Sequence, residues 1–292
     1  MRCFNEYAHL RKVGLRTPEE AFRSEARIAA QWRELGWRGA PDLGAAIREY
    51  DGFVTAIAGC GAEPVFLPGA DDLTLDAIYV RDSAIATKQG VMLCRMGKPA
   101  RRGEPGVAGR SLEAAGVALT GKVENPGLLE GGDFVWLDDQ TCVVGLTYRT
   151  NTEGVWQLKG HLGDGAEQMV LVDLPHYKGP DDVFHLMSIL SPLDRDLALV
   201  FSPLMPISFR RKLLDLGIAL VEAAEEEFET KGCNVLALGP RLCLAVDGNP
   251  ETRRRLEAAG CEVLVYEGRE ITQKGDGGPT CLTLPLERAT TA

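Results

Sequence analysis

The chain has 292 residues, 45% of them hydrophobic, with a formal net charge of −10, and a chain of this size can bury a core without disulfides or metals. The acidic balance argues against a nucleic-acid groove and suits a cationic ligand. An apolar run of about 18 residues, enough to span a membrane, is absent, as is an apolar leader in Met1-Arg2-Cys3-Phe4-Asn5-Glu6, so a cytoplasmic protein with no membrane partner is expected.

Apolar residues recur at helical spacing over 42–60, and three strand-like runs follow at 63–68, 75–87 and 90–95. The order returns as a helix over 104–116 with strands at 117–123, 128–137 and 141–147, then as a helix over 151–163 with strands at 168–175, 183–190 and 197–202. A fourth copy has its helix at 207–216 and strands at 218–223, 232–238 and 241–246; a fifth has its helix at 250–260 and strands at 261–267 and 280–285. Residues 1–15 supply the strand that the fifth copy lacks. Units that hide an apolar face only against their neighbours, with the first strand completing the last unit, predict a ring. The reading is an α/β fold, a five-bladed α/β propeller in which 1–292 form one catalytic domain. An ordinary doubly wound sheet also alternates helices and strands, but strands in threes favour the ring.

The second strand of each unit is expected nearest the axis, so polar residues on these strands would converge. They are Asp76 and Asp82, Glu130 and Asp133, His185, Cys233 and Asn234, and Cys281. A carboxylate among strand residues is costly to desolvate without a cation. Asp82 and Glu130 have few basic residues close by in sequence, so a cationic ligand could be that partner; Asp82 could instead pair with Arg81 or another arginine. His185 lies between Phe184 and Leu186, and its functional reading needs a thiol to serve. Eight cysteines form no Cys-x-x-Cys pair, which suggests neither a zinc cage nor a disulfide framework. Cys281 follows the glycine-rich segment 274–280 and is the favoured nucleophile, while Cys233, in a similar context, competes with it.

At these positions the sequence resembles the guanidino-group-modifying enzymes, which include dimethylarginine dimethylaminohydrolases, arginine deiminases and glycine amidinotransferases. The resemblance rests on Tyr79-Val-Arg-Asp82, Arg101-Arg-Gly-Glu104, Leu129-Glu-Gly-Gly-Asp133, Arg149-Thr-Asn151, His185-Leu186 and the glycine-rich Cys281 segment, in family order. It implies a pentein-type propeller, Cys281 as nucleophile, His185 as proton shuttle, and Asp82 and Glu130 holding the guanidinium. It also implies that Arg101 and Arg149 bind the substrate carboxylate and that Asp76 contacts the substrate.

Two departures bear on substrate. Met187 stands where arginine deiminases carry a second aspartate, which weakens the case for unsubstituted arginine and leaves an apolar neighbour for N-methyl groups. Asp276 stands where the family has glycine, and a carboxylate there would raise the thiol's pKa. The chain also lacks room for the helical insertion of arginine deiminases. The expected activity is therefore hydrolysis of the guanidino group of an arginine derivative, foremost N-methylated arginine to citrulline and an alkylamine. Arginine deimination or dihydrolysis and amidino transfer are the alternatives. The expected partners are a small guanidino substrate and a second copy of the chain; neither metal nor organic cofactor is called for. Residues 16–22 are the candidate for part of the lid that closes the pocket.

Overall fold

Two parallel strands cannot be joined by a tight turn; the link must cross a sheet face, commonly as a helix. The chain makes this crossing five times in the computed structural model, which describes residues 4–182 and 184–290. Strand β1 (Leu10–Leu15) is followed by helices α1 (Pro18–Ala21), α2 (Glu25–Gln31) and α3 (Leu43–Gly59), after which β2 (Glu63–Phe66) lies parallel to β1. Next, β3 (Ala84–Ala86) pairs antiparallel with β4 (Val91–Leu93), α4 (Glu104–Ala114) crosses, and β5 (Leu119–Lys122) returns parallel to β4. The third sheet repeats this as β6 (Phe134–Trp136), β7 (Thr141–Leu146), α5 (Thr152–Leu162) and β8 (Gln168–Asp173). The fourth does so as β9 (Leu190–Asp194), β10 (Leu197–Val200), α6 (Ile207–Asp215) and β11 (Ala219–Glu222). The fifth has β12 (Leu236–Gly239), β13 (Leu242–Val246), α7 (Pro250–Ala258) and β14 (Glu262–Tyr266). Finally β15 (Leu284–Arg288) pairs antiparallel with β1, so one sheet, β15-β1-β2, joins the two ends of the chain.

The five-bladed α/β propeller is thus the architecture, with the phase of its repeat corrected. A blade is strand, strand, helix, strand, because the strand after each helix pairs back across that helix with the strand before it. The grouping of one helix with the three strands that follow it mixes two sheets. Of the expected strands over 1–15 and 183–190, residues 1–3 and Val183 lie outside the described residues, and the described parts are extended strand only over Leu10–Leu15 and at Leu190, where β9 begins.

Local chemistry sets the helices. Asp42 caps α3 by accepting from the Ala45 amide at 2.7 Å, and Ala46, Tyr50, Phe53 and Ile57 form its buried stripe. Asn151 caps α5 through the Gly154 amide at 2.9 Å. α4 and α7 stop at Gly116 and Gly260, whose φ values of 76° and 85° favour glycine.

A second correction concerns the polar second strands. Residues 75–87 are two 3-10 turns, Leu75–Ile78 and Val80–Ser83, before the three residues of β3. Gly131–Asp133 precedes β6 and Leu186–Ser188 precedes β9 in the same way. An extended strand sends alternate side chains to opposite faces, whereas these turns bring several polar groups to one end of the inner strands. The inner strands meet around the centre, β9 against β12 and β15 against β3, and the turns at Val80–Ser83, Gly131–Asp133 and Leu186–Ser188 pack in succession. Among the described residues no helix is long and apolar enough to cross a membrane.

Candidate active site

Cys281 ends a turn anchored from the neighbouring blade. Asn234 Oδ1 accepts from the Thr280 amide at 3.1 Å and from its hydroxyl at 2.9 Å, and Asn234 Nδ2 lies 3.8 Å from Cys281 Sγ. A Cβ on Gly278 would collide with Asn234, and one on Gly275 or Gly277 with the Tyr79 ring, so the glycines of this segment permit close packing. The thiol is partly exposed and faces two adjoining recesses. One holds Asp76, Asp82, Lys98, Arg101 and Arg149; the other holds His185, Met187 and Asn234.

Asp82 is fixed by the Gly132 amide at 2.9 Å on Oδ1 and by Arg101 Nη1 at 2.7 Å on Oδ2. His185 Nδ1 stands 3.8 Å from Asp82 Oδ1, and His185 Nε2 bonds Glu130 Oε2 at 2.8 Å. Glu130 Oε1 accepts from the amides of Gly97 at 2.8 Å and Lys98 at 3.2 Å and meets Arg149 Nη1 at 3.5 Å. Asp133 holds the histidine's turn by accepting from the Leu186 amide at 3.0 Å and the Thr147 hydroxyl at 2.7 Å. The paired glycines of the Glu-Gly-Gly-Asp segment follow from this crowding: a Cβ on Gly132 would come within 2.5 Å of His185 Nδ1 and 2.8 Å of Asp82 Oδ1.

Burial opposes charge on His185, but Asp82, Asp133 and Glu130 outweigh it and hold the imidazole's pKa up to about 9. Burial likewise opposes charge on Glu130, and the bond to His185, with Arg101 and Arg149 behind it, brings that carboxyl down to about 2. Burial and then Asp82 push the Cys281 thiol above its ordinary value, with Lys231 and the Gly278 amide pulling back. At neutral pH the site therefore holds an imidazolium and a neutral thiol. Ligand atoms of Asp82, Glu130 and His185 fall within 4.8 Å of one another, and the imidazolium of His185 is itself the cation between the two carboxylates.

The family model described as "Arginine deiminase" matches residues 73–216 and 209–288, a span that contains all of these side chains. The chain belongs to that family. It is similar to the N(G),N(G)-dimethylarginine dimethylaminohydrolase of Pseudomonas aeruginosa, 26% identical over 262 residues that cover 90% of this chain and 96% of that one. It is also similar to the arginine deiminase of Mycoplasma capricolum, 27% identical over 194 residues that cover 55% of this chain and 47% of that one. Two solved structures share the fold. The DDAH of Pseudomonas aeruginosa complexed with citrulline has a TM-score of 0.75 at 23% identity, covering 94% of this chain and 99% of that one. An amidinotransferase of Microseira wollei has a TM-score of 0.80 at 17% identity, covering 99% and 97%.

Within this family member the structure moves several residues from their expected places. Asp82 is not short of basic partners, since Arg101 meets it from 19 positions away. Besides Asp82, Arg101 serves both oxygens of Glu104 at 2.8 Å and the Tyr79 carbonyl at 2.8 Å, so most of its donors are engaged in holding Asp82 and the cavity wall. Arg81 pairs instead with Glu6 at 2.7 Å. Glu130 sits behind His185 with no exposed surface and is not an open wall for a guanidinium. Asp276 is matched by Lys231 at 2.5 Å and Arg38 at 2.8 Å, which removes its expected effect on the thiol. Residues 16–22 do not line either recess. Arg16 is buried against the carbonyls of Leu67 and Ala77, Phe22 packs edge-on to Trp37, and Leu35 and Gly36 reach the cavity instead.

Sequence reasoning missed Lys98, whose Nζ meets Asp76 Oδ2 at 2.6 Å, and Trp37, whose indole N–H donates to Asp76 Oδ1 at 2.8 Å. Neither lies in a recognised segment. The one available signal was a lysine three residues before the Arg-Arg-Gly-Glu run.

Proposed function

We propose that the protein hydrolyses the guanidino group of an arginine-like compound, with Cys281 as nucleophile and His185 as proton shuttle. The observation that carries this is the meeting of two adjoining recesses at the Cys281 thiol, one lined by Asp82 and the other by His185, whose imidazole is held by Glu130 and stands 3.8 Å from Asp82. A guanidinium, cationic throughout the physiological range, meets Asp82 by charge-assisted hydrogen bonds and turns its carbon toward Cys281 Sγ. His185 already carries its proton and cannot take the thiol's. The substrate's positive charge lowers the thiol pKa, and that proton leaves to solvent.

The thiolate then forms an S–C bond to the guanidinium carbon. His185 protonates the departing nitrogen as its C–N bond breaks, which leaves a covalent thiouronium. Neutral His185 accepts a proton from water as the water oxygen bonds the same carbon; the S–C bond then breaks, the remaining hydroxyl proton passes to the departing sulfur, and a neutral ureido product leaves with the imidazolium and the neutral thiol restored.

Met187, buried beside Cys281 and His185, supports an N-alkylated guanidinium. The preferred reacting group is an N-methylated guanidinium, as in N-methylated arginine or a related N-substituted guanidine, with a ureido compound such as citrulline or its analogue and an alkylamine as products. Arginine deimination and amidino transfer are the competing outcomes. The test is product mass after incubation with arginine, dimethylarginine, and either one plus glycine as acceptor. Alkylamine release together with a Cys281 adduct of thiouronium mass supports the reading; ornithine and glycocyamine, or no adduct, would refute it.

A further inference from the structure

The cavity that holds Cys281 carries an ammonium group of its own. Lys98 Nζ donates to Asp76 Oδ2 at 2.6 Å and to the Leu35 carbonyl at 2.7 Å, and all three residues line the recess shared by Asp82 and Cys281. The remaining oxygen of Asp76 is held by Trp37, whose ring is wedged between Phe22 at 5.4 Å and Tyr79 at 6.0 Å. A carboxylate and a carbonyl converging on one point form a receptor for an alkylammonium, and here the protein fills it.

We propose that Lys98 sets the far end of the substrate: the cavity takes a guanidine whose chain ends in a carboxylate with no ammonium beside it, an ω-guanidino acid in preference to an α-amino acid. This rests on the placing of the guanidinium at Asp82 under "Proposed function" and concerns the opposite end of the same molecule. A substrate ammonium would have to displace Lys98 from Asp76 and Leu35, or stand beside it as a like charge in a poorly solvated wall. A substrate carboxylate meets the reverse situation. Two of the three Lys98 ammonium protons are committed, and the third can turn to it. Arg149, which lines the same recess and is buried against Glu130, adds a guanidinium fork. Asp181 and Asp182 also reach the rim, and an ammonium held there is the rival outcome.

Binding to the Cys281→Ser protein separates these possibilities by calorimetry with three probes that share one guanidine. Desamino-arginine ends in a carboxylate, arginine in a zwitterion and agmatine in an ammonium. Affinity should fall in that order, with the first step about tenfold or more, the worth of one charge-assisted hydrogen bond. Adding Lys98→Met should weaken desamino-arginine and strengthen agmatine, and Lys98→Arg should keep the original order; circular dichroism checks that each variant folds, with Lys98→Gln as the substitute for a Met variant that does not. Tighter binding of arginine than of desamino-arginine, or an order untouched by Lys98→Met, overturns the proposal. So does an order that survives Lys98→Met and is lost in Asp182→Asn. Because the nucleophile is absent in this assay, a wild-type enzyme that turns over neither these three probes nor their N-methylated forms counts against hydrolysis while the preference is still read; failure of all three to bind overturns both.

Discussion

Two glycine-flanked turns bring cysteines to the same recess, and they do opposite things. In Lys231-Gly-Cys-Asn234 the thiol is 1% exposed, packed in the cluster around Leu190 and Leu199, and pushed far up by burial; its carbonyl accepts from Ser191 Oγ at 2.8 Å. In Gly277-Gly-Pro-Thr-Cys281 the thiol opens onto the cavity, between Asp82 and the charge of Lys231. The first turn serves the second, since Asn234, next to the buried thiol, holds Thr280 and reaches Cys281 Sγ. Similar local sequence therefore yields a strut in one place and a reactive group in the other, and the face on which each turn packs makes the difference.

The sharpest way to break this comparison is to remove each thiol. Cys281→Ser should lower kcat at least about 10³-fold, whereas Cys233→Ala stays within about threefold, as steady-state assays would show; equal losses would dissolve the distinction. Gly132→Ala probes the carboxylate side of the cavity. Its methyl group must push His185 or Asp82 aside, and kcat/KM should fall about 10²-fold, with the loss seen in kinetics while the melting temperature moves by only a few degrees.

The imidazole offers a subtler readout. His185 is raised from 6.5 to about 9 in the folded protein, so between those values the folded state binds a proton that the unfolded state releases. Its stabilisation is full below about 6.5 and is lost as pH rises through about 9. Urea unfolding across this window should show stability declining with pH, and His185→Gln should flatten the slope; a slope unchanged by that variant would contradict the ion-pair geometry. The smallest effect expected is the destabilisation by Cys233→Ala, about 1–2 kcal/mol for a small cavity in a packed cluster. Denaturant melts would check it, and a neutral result would mean that this turn is no strut.

Much of the scaffold was legible. Five returns of helix and strands showed the ring, because each crossing helix carries buried residues at helical spacing, which periodicity exposes. The phase of the blades was not legible, since pairing across a helix joins residues such as Val91 and Leu119, and nothing local marks which neighbour a strand will choose. Of the site, Cys281, His185, Asp82 and Glu130 stood out as polar groups in apolar surroundings that also fall in recognisable motifs. Their partners did not.

From residue types and order alone came the kinds of chemistry available: a thiol beside glycines, with Cys281 favoured over Cys233, one histidine among apolar residues, and carboxylates placed where burial demands a cation. Only the tertiary structure decided which cation. Arg101 closes on Asp82, Arg149 on Glu130, and Lys98 on Asp76, each pairing charges that the chain keeps apart. Ion pairing acts through space and leaves no periodic trace along the chain, so the charge each wall of the cavity offers a ligand could be read only once those walls were assembled.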